Sequence, residues 1–168
     1  MPFIHAPTAP RLCHLAAADW PADPAAARAM VAELIDFLGD PKPANRDWAT
    51  FLLAQSPEDC PALRDALLAA AADSNLLVRG EALLGLARRD RVSALPHVQA
   101  ALALDRVSVA LLEAAALCAH PSLIPDLEYW SRPSANRMAD MAATEALLAC
   151  RLASARPAPG AAPRPRFG

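Results

Sequence analysis

DSNLLVRGEALLGLARR, residues 73–89, places Arg79 and Glu81 in a stretch that is otherwise mostly leucine, alanine and glycine. Leucine and alanine lose little rotamer freedom on a helix, so the spacing predicts one from Asn75 to Arg88. An arginine on such a helix marks either a place where a ligand is met or a structural position that recurs. The chain itself decides for recurrence. DPKPANRDWATFLLA begins at Asp40 and DSNLLVRGEALLGLA at Asp73, and each sets an arginine six residues on, at Arg46 and Arg79. The offset 79 − 46 = 33 also carries Ala49 to Ala82, Leu53 to Leu86 and Ala54 to Ala87. SALP at Ser93 and SLIP at Ser122 stand 122 − 93 = 29 residues apart, each with a proline expected in a first helical turn.

Outward from this stretch the chain reads as helix, short break, helix. Asp23 and Pro24 suit a cap and first position for a helix running to Leu38 and closing at Gly39. Further helices are expected at Ala44–Gln55, Pro61–Ala72 capped by Asp59, a stretch capped by Ser93 and ending near Leu104, Val107–Ala119, Ser122–Trp130 and Ser134–Ala153. The central prolines, from Pro41 to Pro133, fall where these helices stop, and none needs a helix interior. Residues 1–22 read as a partly ordered arm in which Leu12, Leu15 and Trp20 can dock a short helix. Residues 23–153 form the helical domain. Residues 154–168, rich in proline and arginine with little to bury, read as a disordered tail.

A period of roughly 30 residues holding two helices is the mark of an α-solenoid, here about three to four stacked pairs. The residues Asp73, Val78, Arg79, Ala82, Leu83, Gly85 and Leu86 resemble the HEAT-like repeat family, in the short bacterial form also found in phycobilin lyase subunits. The likeness runs from residue 40 to 104. From 105 to 130 DRVSVALLEAAALCAH keeps an aspartate and a helix but has no arginine at the matching place. The resemblance implies that Asp40, Arg46, Asp73 and Arg79 are structural, tying the turn of one repeat to the next helix. Trp48 reads as a filler between repeats where alanine neighbours leave room.

Composition narrows the function. Hydrophobic residues make up 55% of 168 positions and aromatics only 5%, so the expected core is alanine and leucine on an all-α frame. A net charge of −2 argues against a dominant nucleic-acid surface. Cys13, Cys60, Cys118 and Cys150 are too scattered for a CxxC site, and Cys118 with His120 reads as a buried thiol beside a helix end. No nucleophile elbow, phosphate loop or HExxH helix occurs, so neither an enzyme nor a cofactor or metal is expected. The start MPFIHAPTAPRL lacks a leader pattern, and the expectation is a cytoplasmic protein with no membrane span.

The expected site is a groove. In solenoids the second helices of successive repeats line an extended concave side. On those helices Leu63, Ala66 and Leu67, then Leu95, Val98 and Leu102, then Leu123, Ile124 and Leu127 make the apolar stripe. That leaves Arg64, Asp65, His97, Gln99, Asp126, Glu128 and Tyr129 facing outward, a mixed-charge surface suited to a protein or peptide partner. The leading expectation is therefore a non-enzymatic adaptor, regulatory or immunity-type. The alternatives are an enzyme-associated module like the phycobilin lyase subunits, or a protein like the HEAT-like DNA glycosylases, which Asp65, Asp126 and Glu128 in the groove disfavour.

Overall fold

A computed structural model describes residues 6–155. The described chain is all-helical: α1 (Pro10–Ala17), α2 (Pro24–Asp36), α3 (Pro43–Gln55), α4 (Pro61–Ala70), α5 (Leu76–Arg89), α6 (Arg91–Leu102), α7 (Val109–Cys118), α8 (Ile124–Trp130) and α9 (Arg137–Ala155). Short 3-10 turns at Phe37–Gly39 and Pro121–Leu123 extend α2 and introduce α8. No strand occurs among these residues, and no helix among them is long and apolar enough to cross a membrane. The helix α9 continues through Ser154 and Ala155, and the rest of the expected tail lies outside the described residues.

Capping chemistry explains most boundaries. Asp23 accepts from the Ala26 N–H at 2.8 Å, Asn75 from Leu77 and Val78, and Ser108 from Leu111. Two expected caps are corrected. Asp59 does not cap α4; Arg64, on the first turn of that helix, reaches back to its carboxylate with two hydrogen bonds of 2.7 and 2.6 Å. The cap of α6 is Asp90, not Ser93, because its carboxylate takes the N–H groups of Val92 and Ser93 and the Ser93 hydroxyl. The helix therefore starts earlier, and Pro96 falls inside it. The carbonyl that Pro96 leaves without a helical donor belongs to Val92, which is exposed and can be met by water. Pro125 does lie in the first turn of α8.

The recurrence seen in the sequence reappears in the turns. Asp40 Oδ1 accepts the Lys42 N–H at 2.8 Å, and Asp73 Oδ1 accepts the Asn75 N–H at 2.7 Å, each aspartate two residues ahead. Lys42, Asn75 and Ser108 precede α3, α5 and α7 at equal offsets, 75 − 42 = 33 and 108 − 75 = 33. Arg46 donates to Asp40 O and Pro41 O, and Arg79 donates to Asp73 O and Ser74 O, so each binds the carbonyls six and five residues behind it. Arg46 also grips the Asp73 carboxylate at 2.7 and 2.9 Å. In the third turn Arg106 stands at 73 + 33, and Ser108 caps α7 there by itself.

Packing follows two rows. In one, α3 lies on α5, α5 on α7 and α7 on α9. In the other, α4, α6 and α8 each lean on helices of the first row, α4 and α6 on α5, α6 also on α7, and α8 on α9. The arm docks as α1 against α3, burying Leu12 and Leu15, with Thr8 N–H held by Asn45 at 2.8 Å. One connected apolar core runs from Leu12 to Cys150. The α3–α5 contact depends on Gly85, where an added Cβ would stand 2.9 Å from the Ala54 Cα and Cβ atoms. The α5–α7 contact likewise brings Gly80 against Ser108.

Two outcomes test this packing. Gly85→Ala should destabilise the fold by about 1–3 kcal/mol despite alanine's better helix propensity, because backbone must move to admit the methyl. Arg46→Lys keeps the charge but cannot hold Asp73 and the turn carbonyls together, and should cost about 1–3 kcal/mol. Urea unfolding at neutral pH measures both.

Candidate functional site

The seven expected groove residues do not form one set. Arg64, on α4, is engaged by Asp59 and lies 3.8 Å from Asp90. Asp65 on the same helix is exposed. On α6, His97 points into solvent, and Gln99 Oε1 accepts the Ser122 hydroxyl at 3.2 Å, tying α6 to the turn before α8. Glu128 accepts from Arg151 of α9 at 2.7 Å, and Asp126 is half-buried. Tyr129 is exposed, stacked edge-on with Trp130 at 5.0 Å and carrying the Arg132 guanidinium 5.3 Å from its ring centre. Trp130 is itself anchored, its Nε1–H donating to Leu102 O at 2.9 Å. The structure thus gathers Gln99, Asp126, Glu128 and Tyr129 around α8, while Arg64 and Asp65 stay with α4. Trp48 is partly buried on α3 and meets Phe51 edge-on at 5.9 Å.

Arg89 went unnoticed in the sequence. Its side chain is almost fully buried and donates to five backbone carbonyls, those of Leu53, Ala54, Ser56, Glu58 and Gly85. It therefore satisfies the open C-terminal end of α3 and the loop after it, a place where helix carbonyls otherwise lack donors. Its Nε is buried without a hydrogen-bond partner, 3.9 Å from Asp59 Oδ1. This arginine floors a cleft of about 430 Å³ between α3, the α3–α4 loop and α5. Glu58 and Asp59 share the rim, and the guanidinium is already committed to carbonyls, so the cleft reads as a joint.

Cys118 and His120 are likewise engaged locally. Burial pushes the Cys118 thiol up to about 11, and its Sγ faces Arg91 O at 3.7 Å. His120 Nδ1 accepts the Ser122 N–H at 3.2 Å, closing the turn before α8. Among the described residues no three His, Cys, Asp or Glu side chains are arranged to hold a metal.

Two surface features stand out on the row α3–α5–α7–α9. The first is acidic. Asp47 on α3 is only 7% exposed, and burial alone pushes its carboxyl up to about 6. Glu81 on α5 is pushed up to about 7 by burial first, then by the negative charges of Asp47 and Glu113, with Arg88 opposing. Glu113 lies exposed on α7. The second is apolar. Met138, Met141, Leu148 and Leu152 recur on one face of α9 and are each between 56% and 60% exposed. On α9 the buried residues Ala143, Ala146, Leu147 and Cys150 occupy the other side.

No family model matches the chain, and no curated protein matches it. Among solved structures the chain is similar to YibA from Escherichia coli, at 23% identity and a TM-score of 0.52. The match covers 83% of this chain and 55% of YibA, so the chain spans little more than half of that protein. At that identity the likeness concerns the fold.

Asp47 and Glu81 make stability depend on pH in a defined sense. Each carboxyl holds its proton more tightly folded than unfolded, so the stabilisation is present at low pH and is lost as pH rises through about 6 to 7. Burial pushes the Asp73 carboxyl up, but hydrogen bonds from Arg46 and Asn75 outweigh it, and the net lowering acts only in more acid solution. The urea midpoint should therefore be higher at pH of about 5 than about 8, and Glu81→Gln should shrink that difference.

Proposed function

We propose that the chain is a short α-solenoid of HEAT-like helix pairs and works as a non-enzymatic adaptor that binds another protein. The repeated aspartate–arginine turns and the two-row packing support the solenoid reading. The observation that carries the binding role is the apolar stripe on α9. In a stack each helix covers its predecessor's oily side, and α9 is the last described helix of its row. Its outward face nevertheless keeps the period of a buried one, at Met138, Met141, Leu148 and Leu152. Methionine and leucine in that pattern suit an amphipathic helix of a partner, laid where a following repeat helix would pack. The polar residues Asp126, Glu128 and Tyr129 on the neighbouring α8 supply a polar rim.

Leu148→Glu tests the proposal. An exposed side chain of this kind should change stability by no more than about 0.5 kcal/mol. A photo-crosslinking side chain at Met141 should join one discrete protein in the native host, and Leu148→Glu should abolish that product. Persistence of the crosslink in Leu148→Glu, or capture of no discrete protein, would remove this reading.

A further inference from the structure

The apolar stripe on α9 is interrupted once, at its middle. Met138, Met141, Glu145, Leu148 and Leu152 follow at steps of 3, 4, 3 and 4, the spacing of a seam between two helices packed side by side. All five are exposed, and four of them are apolar. Glu145 is the centre of the five, since 145 − 138 = 7 and 152 − 145 = 7. Its carboxylate has no ion pair or hydrogen bond among the described residues. The acids near it are matched: Asp140 takes the Ser134 N–H and hydroxyl at 2.8 and 2.6 Å, and Glu128 takes Arg151 at 2.7 Å. Arg137 lies 145 − 137 = 8 residues away, more than two turns along the helix. A helix laid on this seam takes the Glu145 carboxylate out of water, and a carboxylate there needs a cation or donors to offset its desolvation.

We infer that the occupant of this seam is an amphipathic helix of another protein whose apolar face carries one arginine or lysine at its centre, opposite Glu145. The inference rests on the adaptor reading and names the chemistry of what is bound. Charge decides against a second copy of the chain. Laid over its full length in either direction, a copy's α9 would set Glu145 against Glu145 in the least hydrated part of the contact. An antiparallel shift that pairs Glu145 with Arg137 would carry Leu148 and Leu152 past the first residue of the copy's α9, leaving that half of the seam uncovered. A basic side chain from a different helix meets both demands. Its aliphatic stem lies along the methionines and leucines while its head reaches the carboxylate. One such polar pair inside an apolar seam also fixes the register of the two helices.

Fluorescence anisotropy on the full chain tests this with a labelled helical peptide, LAALKEARAALKEALAALKEA, and its counterpart with glutamate for the central arginine. The parent chain should prefer the arginine peptide by about tenfold, and Glu145→Arg should reverse the preference. Glu145 is exposed, so the melting temperature of Glu145→Arg should match the parent's and report that the chain is folded. Binding of neither peptide, or equal binding of both to the parent, would overturn the inference. So would a gain in affinity on changing Arg156, Arg164 and Arg166 to glutamine, which would give Glu145 to the chain's own arginines. Self-association abolished by Leu148→Glu would give the seam to a second copy and overturn it equally. In the native host the Met141 crosslink separates the two readings. A product lost in Leu148→Glu but kept in Glu145→Arg would leave the adaptor standing and overturn the charge pairing, whereas no product from the parent would remove the adaptor itself.

Discussion

Close contact between α5 and its two neighbours is the constraint from which the remaining structure follows. Gly85 lets α5 approach the Ala54 backbone of α3, and Gly80 lets it approach Ser108 at the start of α7. At that separation alanine and leucine suffice to fill the interior, which is why a chain with 5% aromatics holds a connected core. It also leaves α5 buried on almost every side, from Ala82 through Ala87. Polar groups on or beside this helix must then find partners locally or remain as unmatched charge.

The arginines show the first outcome. Arg46 and Arg79 fasten the turns behind them, and Arg46 also ties its turn to the next through Asp73. Arg89 does the corresponding work at the other end of α3, where it collects carbonyls from two helices and a loop. A guanidinium suits this because its donors diverge in one plane and can reach several acceptors at once. Asp47 and Glu81 show the second outcome. Their charge comes at a cost to the fold near neutral pH, because burial of both, and for Glu81 the like charges of Asp47 and Glu113, favour the protonated form.

The proposed adaptor role draws on surface rather than on a pocket. The α9 stripe lies on the last described helix of the row α3–α5–α7–α9. The residues gathered near α8 would then form the margin of the contact, and Arg64 and Asp65 on α4 would lie apart from it.

The amino-acid order alone determined the helical class, most helix limits and the 33-residue recurrence of Asp40–Arg46 in Asp73–Arg79. These depend on caps, prolines and side-chain periodicity, which act between residues close along the chain. Where two local signals competed, as with Asp90 and Ser93 before Pro96 or Asp59 and Arg64, geometry chose between them. Tertiary structure decided what Arg89 binds, which of the groove residues come together, and that Asp47 and Glu81 face one field. Those outcomes turn on which helix faces meet, and residues 34 apart in sequence carry no mark of their meeting until the helices between them have packed.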